Sequence, residues 1–146
     1  MQAVDFFTQE QKLAITNAIR QAEANTSGEI RFHAENKCAE NELDRAAYWF
    51  KALEMHKTEQ RNGVLFYLAI KDKKFAILGD AGINKTVPAN FWDSIKETCL
   101  AAFKEGKHAE GLAKGIEMAG EQLKKHFPYK LGDVNELSDE LSFGKQ

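Results

Sequence analysis

Three short segments of this chain carry residue types from which a ligand site can be assembled. They are Thr26-Ser27-Gly28-Glu29, Arg61-Asn62-Gly63 and Gly79-Asp80-Ala81-Gly82. Glu29 and Asp80 offer carboxylates, Asn62 an amide oxygen, and Gly79 and Ala81 backbone carbonyls. Such an all-oxygen set suits a hard cation, Ca²⁺ or Mg²⁺, and not zinc, which prefers His and Cys. Arg61 adds a planar fork for an anion such as phosphate, with the Ser27 hydroxyl close by in the same group of segments. The plainer alternative for the same residues is a solvated rim with a Glu29–Arg61 ion pair.

Other chemistries fail on spacing. A cysteine phosphatase needs Arg six positions after its Cys, but Asp44 follows Cys38 at that distance and Glu105 follows Cys99. No G-x-S-x-G, Walker A or G-x-G-x-x-G segment occurs. His33, His56, His108 and His126 lack metal-ligand spacing and read as surface or half-buried side chains. Asp133-Val134-Asn135 opens like a calcium loop, yet Leu137 and Ser138 stand where an oxygen ligand and Gly are required.

The elements that must position the three segments follow from periodicity. Thr8-Gln9-Glu10-Gln11 is a capping box, and Ile15, Ala18, Ile19 and Ala22 mark one face of the helix it opens. Asn25-Thr26-Ser27-Gly28 is turn chemistry that stops this helix. From Glu29 to about Lys37, Ile30, Phe32 and Ala34 alternate with polar residues, which predicts a half-buried strand near an edge. A second helix is predicted over Asn41 to Met55, with Leu43, Ala46, Ala47, Phe50 and Leu53 inward. Val64 to Ile70 is apolar without alternation, as a strand covered on both faces should be. Four polar residues then lead to Phe75-Ala76-Ile77-Leu78, so a hairpin is the economical reading.

Pro88 suits the first turn of a third helix bearing Phe91, Ile95, Cys99 and Phe103, closed by Gly106. A fourth carries Leu112, Ile116, Ala119 and Leu123 and ends before Pro128. Its Gly111 and Gly115 indicate close helix packing. The aromatic pairs Tyr48-Trp49-Phe50 and Phe91-Trp92 read as core, with Trp49 or Trp92 available to a partner.

The order α-β-α-β-β-α-α, with a right-handed crossover between parallel strands one and two, predicts an α/β fold: a three-layer α/β/α sandwich with a small mixed β-sheet. In that topology strands one and two start, and strand three finishes, at one rim. Neighbouring strands lie about 4.8 Å apart, so the three segments can share one small ligand.

The charge balance of 20 basic and 22 acidic residues gives a net charge of −2, which argues against nucleic acid as a partner. Two Cys make no disulfide framework. The start of the chain has no signal-peptide pattern, and the seven residues Val64 to Ile70 fall far short of the roughly 20 needed to span a membrane. The expectation is a cytoplasmic domain over residues 1–128 with free Cys38 and Cys99, followed by an acidic tail over residues 129–146 that lacks long regular structure.

Taken together, Ala22 through Ile30, Thr58 through Gly82, and Phe127-Pro128 with Asp133-Val134-Asn135-Glu136-Leu137 resemble the TPM domain family. The matching stretches run through about residues 6–140 in the family's order. The resemblance implies an α/β/α sandwich. It implies divalent-cation binding, often calcium, among strand-end loops, and it carries an association with acid phosphatases. Ser138 stands where relatives often have Pro, and the chain shows neither the leader nor the membrane anchor of many of them.

Three functions follow as expectations. The first is a Ca²⁺- or Mg²⁺-binding domain without strong catalysis, its site bounded by Glu29, Asn62 and Asp80. The second is a metal-dependent acid phosphatase acting on a phosphate ester, with Arg61 aiding the developing oxyanion. The third is a module that docks a protein partner through the tail or an exposed aromatic. In the first, Arg61→Ala should spare cation affinity.

Overall fold

The computed structural model describes residues 2–129 and 139–144. Short helix α1 (Ala3–Phe6) leads into α2 (Gln9–Glu23), whose Thr8 and Gln11 form the capping box in both directions. Strand β1 (Glu29–Glu35) is followed by α3 (Glu42–Ala52), capped by the Asn41 side chain. A single 3-10 turn (Met55–Lys57) then leads to β2 (Gly63–Ala69) and β3 (Lys74–Gly79). Helices α4 (Ala81–Asn84), α5 (Asp93–Lys104) and α6 (His108–His126) complete the domain, and β4 (Ser142–Phe143) lies near the C-terminus.

The sheet order is β3-β2-β1-β4, with β1 parallel to both β2 and β4 and β3 antiparallel to β2. Glu29 pairs with Gly63 and Val64 with Gly79, so the strand ends converge as the topology requires. Helices α2, α5 and α6 pack on the face formed by Ile30, Phe32, Ala34, Val64, Phe66 and Leu68. Helix α3 covers the other face, where Ala46, Phe50 and Met55 meet Leu65, Tyr67 and Ala69. The result is the expected α/β/α sandwich. All seven residues of β2 are buried, which is why its sequence lacks alternation.

Several expectations need correction. Strand β1 is not half-buried: His33, Glu35 and Glu29 are nearly as inaccessible as its apolar residues. Arg45 and Trp49 of α3 close over His33 and Glu35 with hydrogen bonds and ring stacking, and Glu29 is enclosed at the rim beside Asn62 and Gly63. His33 in particular is fully buried, not a surface or half-buried side chain. Strand β1 also stops at Glu35. Leu43 and Ala47 face solvent, leaving Ala46 and Phe50 as the buried stripe of α3. Pro88 opens a turn in which the Phe91 amide donates to its carbonyl (3.0 Å), and α5 begins only at Asp93. Helix α4 was not anticipated; it forms because Asp80 caps its first amide. The tail from Asp133 to Ser138, including the candidate stretch at Asp133 and Glu136, lies outside the described residues.

Among the described residues no helix is long and apolar enough to cross a membrane. Gly111 and Gly115 do serve close packing. A Cβ on Gly111 would lie 2.7 Å from that of Ala102, and one on Gly115 only 2.4 Å from Cys99 Sγ.

Candidate functional site

The rim is built by backbone pairing. The Glu29 amide donates to the Asn62 carbonyl (3.3 Å), the Asp80 amide to Gly63 (2.9 Å), and the Gly82 amide to Arg61 (2.8 Å). Arg61 takes a left-handed backbone conformation (φ 52°) to make this turn. Gly82 is obligatory: a Cβ there would stand 2.0 Å from the Gln60 carbonyl oxygen.

Within this frame Arg61 and Asp80 are each other's partners. Nε donates to Oδ2 at 2.8 Å and Nη2 to Oδ1 at 2.9 Å, a bidentate pair of the strong kind. Asp80 is buried while the Arg61 side chain is half exposed. Its Oδ1 also accepts from the Ala81 amide (2.7 Å), so Asp80 caps α4 as well as holding the guanidinium, and the hydrogen bond to Asp80 pushes the Arg61 pKa upward. The fork that was expected to serve an anion is therefore closed on a carboxylate of its own chain. The Gly79 carbonyl accepts from Asn84 Nδ2 (3.0 Å).

The other rim residues form a second group. Ser27 Oγ accepts from Gln60 Nε2 (3.2 Å) and Asn62 Nδ2 (3.4 Å). Asn62 is almost fully buried, and its Oδ1 has no hydrogen-bond partner. Glu29 is buried beside it in the sheet. Beyond Glu29, Glu23 at the end of α2 accepts from the Ile30 amide (2.7 Å). Burial, a hydrogen bond with Asp139 and the charges of Asp139 and Glu29 push the Glu23 carboxyl up to about 10 despite that amide. Among the described residues, no group of three or more His, Cys, Asp or Glu side chains is arranged to hold a metal ion.

At the opposite ends of β1 and β2 stands a polar cluster that sequence reasoning missed. Glu35 accepts from Arg45 Nε (2.7 Å) and Nη2 (3.0 Å), from Trp49 Nε1 (3.1 Å) and from the Tyr67 hydroxyl. Burial opposes its charge, but the bonds from Arg45, Tyr67 and Trp49 outweigh that and hold its carboxyl below the ordinary value. The signal available was the polar triplet Arg31, His33 and Glu35 under a helix bearing Arg45 and Trp49, but nothing local pairs Glu35 with a residue ten positions away.

This sandwich, with its parallel central pair and clustered strand-end loops, defines the class of protein. The chain belongs to the TPM domain family, which it matches over residues 1–122. Among solved structures it is similar to the BA42 protein of the psychrophilic bacterium Bizionia argentinensis, with 46% identity and a TM-score of 0.90 over 96% of this chain and 97% of that one. The N-terminal domain of a P. gingivalis protein has the same fold at 16% identity, with a TM-score of 0.65 over 86% of this chain and 83% of that one. No protein of curated function matches the sequence significantly.

Proposed function

We propose that the domain binds a divalent cation, Ca²⁺ or Mg²⁺, at the rim formed by residues 27–29, 61–63 and 79–82, without strong catalysis of its own. The observation that carries this reading is the Asn62 Oδ1, an oxygen donor buried without a partner between loops that bear Glu29 and Asp80. A buried unpartnered oxygen costs roughly 1–3 kcal/mol, a cost a cation would offset. The donors fit hard-cation chemistry: carboxylate, amide and carbonyl oxygens, with water completing the shell. Glu29 and Asn62 would hold the ion directly. Asp80 would join by exchanging one positive partner for another, since Arg61 now neutralises it. A reducing, cytoplasmic setting belongs to the same reading, supported by the buried free thiols of Cys38 and Cys99.

The pairing of Arg61 with Asp80 revises the consequence expected of Arg61→Ala. Removing the guanidinium frees the Asp80 carboxylate, so cation affinity should rise severalfold; Asp80→Asn should lower it. Calorimetric titration of the two variants with CaCl₂ and MgCl₂ tests this. Equal affinities in both variants and the parent chain would place any cation elsewhere.

A further inference from the structure

We propose that β4 is an acid-released strap: neutral His33 lets it lie against the edge of β1, and protonation of His33 lets it go. The strap is slight. Among the described residues its backbone pairs through His33 with Ser142 and Ala34 with Phe143, and the Gly144 amide donates to Ala34 (2.8 Å). Leu141 packs partly buried on the core, and Asp139 lies 3.9 Å from Arg20 and hydrogen-bonds Glu23. On the α2 side Phe143 sits edge-on to Phe32, ring centres 6.5 Å apart, under the Lys12 ammonium at 5.2 Å. On the α3 side Ser142 Oγ lies 2.8 Å from His33 Nδ1. Gly144 then passes so close that a Cβ on it would be 2.8 Å from Glu35 Cβ and 3.4 Å from His33 Nε2. The strap is thus part of what buries the imidazole.

The imidazole is poorly placed to be charged. It is fully buried, stacked on Trp49 with ring centres 3.9 Å apart, and its Nε2 has no hydrogen-bond partner. Protonation would put an unpaired N–H on a charged ring in that place. The groups facing it are Arg31 and Glu35 from β1, Arg45 and Trp49 from α3, Tyr67 from β2 and Ser142 from β4. Glu35 favours the charged ring, but its oxygens already accept from Arg45, Trp49 and Tyr67. Burial dominates and, with Arg45 and Arg31, pulls the imidazole down to about 4.

The direction of the linkage follows. The docked value lies below the free value of 6.5, so the contribution to docking is complete above about pH 6.5 and is lost as pH falls towards 4. Within that window docking should weaken by up to about tenfold per pH unit. The strap yields first because its backbone joins β1 at two residue pairs and its Leu141 and Phe143 are only partly buried, whereas α3 is fastened by the Arg45–Glu35 fork.

The test is NMR of the full chain between about pH 8 and pH 4, following backbone amides and the His33 ring. The Ser142 and Gly144 amides should move to unstructured positions in step with His33 protonation while β2 amides stay in place. His33→Asn puts an uncharged amide near the Nδ1 position and should keep the strap docked across the same range. Phe143→Ala, which loosens the strap at its contact with Phe32 and leaves the Ser142–His33 bond in place, should move His33 titration to higher pH; this arm decides alone if His33→Asn does not fold. Strap signals that move identically in His33→Asn, a His33 that protonates with β4 still paired, or β2 amides lost together with the strap would each overturn the proposal.

Discussion

Two Arg–carboxylate forks of similar geometry do different work in this molecule. Arg45 and Glu35 join α3 to the sheet, with the carboxylate buried and the guanidinium mostly covered by Tyr48 and Trp49, whose rings lie 4.7 and 5.4 Å from its central carbon. Arg61 and Asp80 lie at the rim, where the guanidinium is half exposed. Removing one partner of a buried pair strands the other charge, which costs about 3 kcal/mol or more. Arg45→Ala should therefore lower the urea-unfolding free energy by about 3 kcal/mol, and Arg61→Ala should lower it far less, because water replaces the lost partner. Similar losses for the two variants would mean that burial does not separate them. Neither fork was legible in the sequence. Arg61 and Asp80 were each recognised as rim residues with separate roles, because spacing brings segments together but does not show which side chains will satisfy one another.

At the scale of elements, helix packing is set by small residues. Cys99 Sγ sits where a Cβ on Gly115 would go, and the Gly111 carbonyl accepts from that thiol at 3.3 Å. Gly115→Ala gains about 1 kcal/mol of helix propensity but must push α5 from α6. Overpacking of this kind costs about 1–3 kcal/mol, so the melting temperature should fall. The double change Gly115→Ala with Cys99→Ala should recover part of the loss, and a rise in melting temperature for Gly115→Ala alone would contradict the packing account. These glycines were readable because their four-residue spacing puts them on one helix face. So was the buried β2, from its unbroken apolar run. The burial of β1 was not: alternation of polar and apolar residues normally marks a wet face, and here α3 covers that face with hydrogen-bonding side chains. Helix α4 escaped for a different reason, since a cap by Asp80 on a four-residue helix leaves no periodicity to detect.

Across the whole molecule, the topology deduced from element order was enough to gather Ser27, Glu29, Arg61, Asn62, Gly79, Asp80 and Ala81 at one rim, because a parallel pair followed by a hairpin leaves no other arrangement of those ends. The contribution of Glu23 was hidden, as it depends on burial in the folded domain and then on Asp139, more than a hundred residues away. Its carboxyl is raised from 4.5 to about 10 in the folded chain. The folded state therefore holds a proton that the unfolded chain gives up, and this contribution is complete below about pH 4.5 and is lost as pH rises towards 10. Glu23→Gln keeps an acceptor for the Ile30 amide without that proton. Its melting temperature should exceed the parent's by more at pH 9 than at pH 6, and an equal difference at the two pH values would remove Glu23 as the source. The cation reading itself is tested most directly by titrating the full chain with CaCl₂, then MgCl₂, and mapping the amide shifts. The account predicts saturable shifts centred on residues 27–29, 61–63 and 79–82; shifts confined to the neighbourhood of Asp133 and Glu136, or none at millimolar cation, would contradict it.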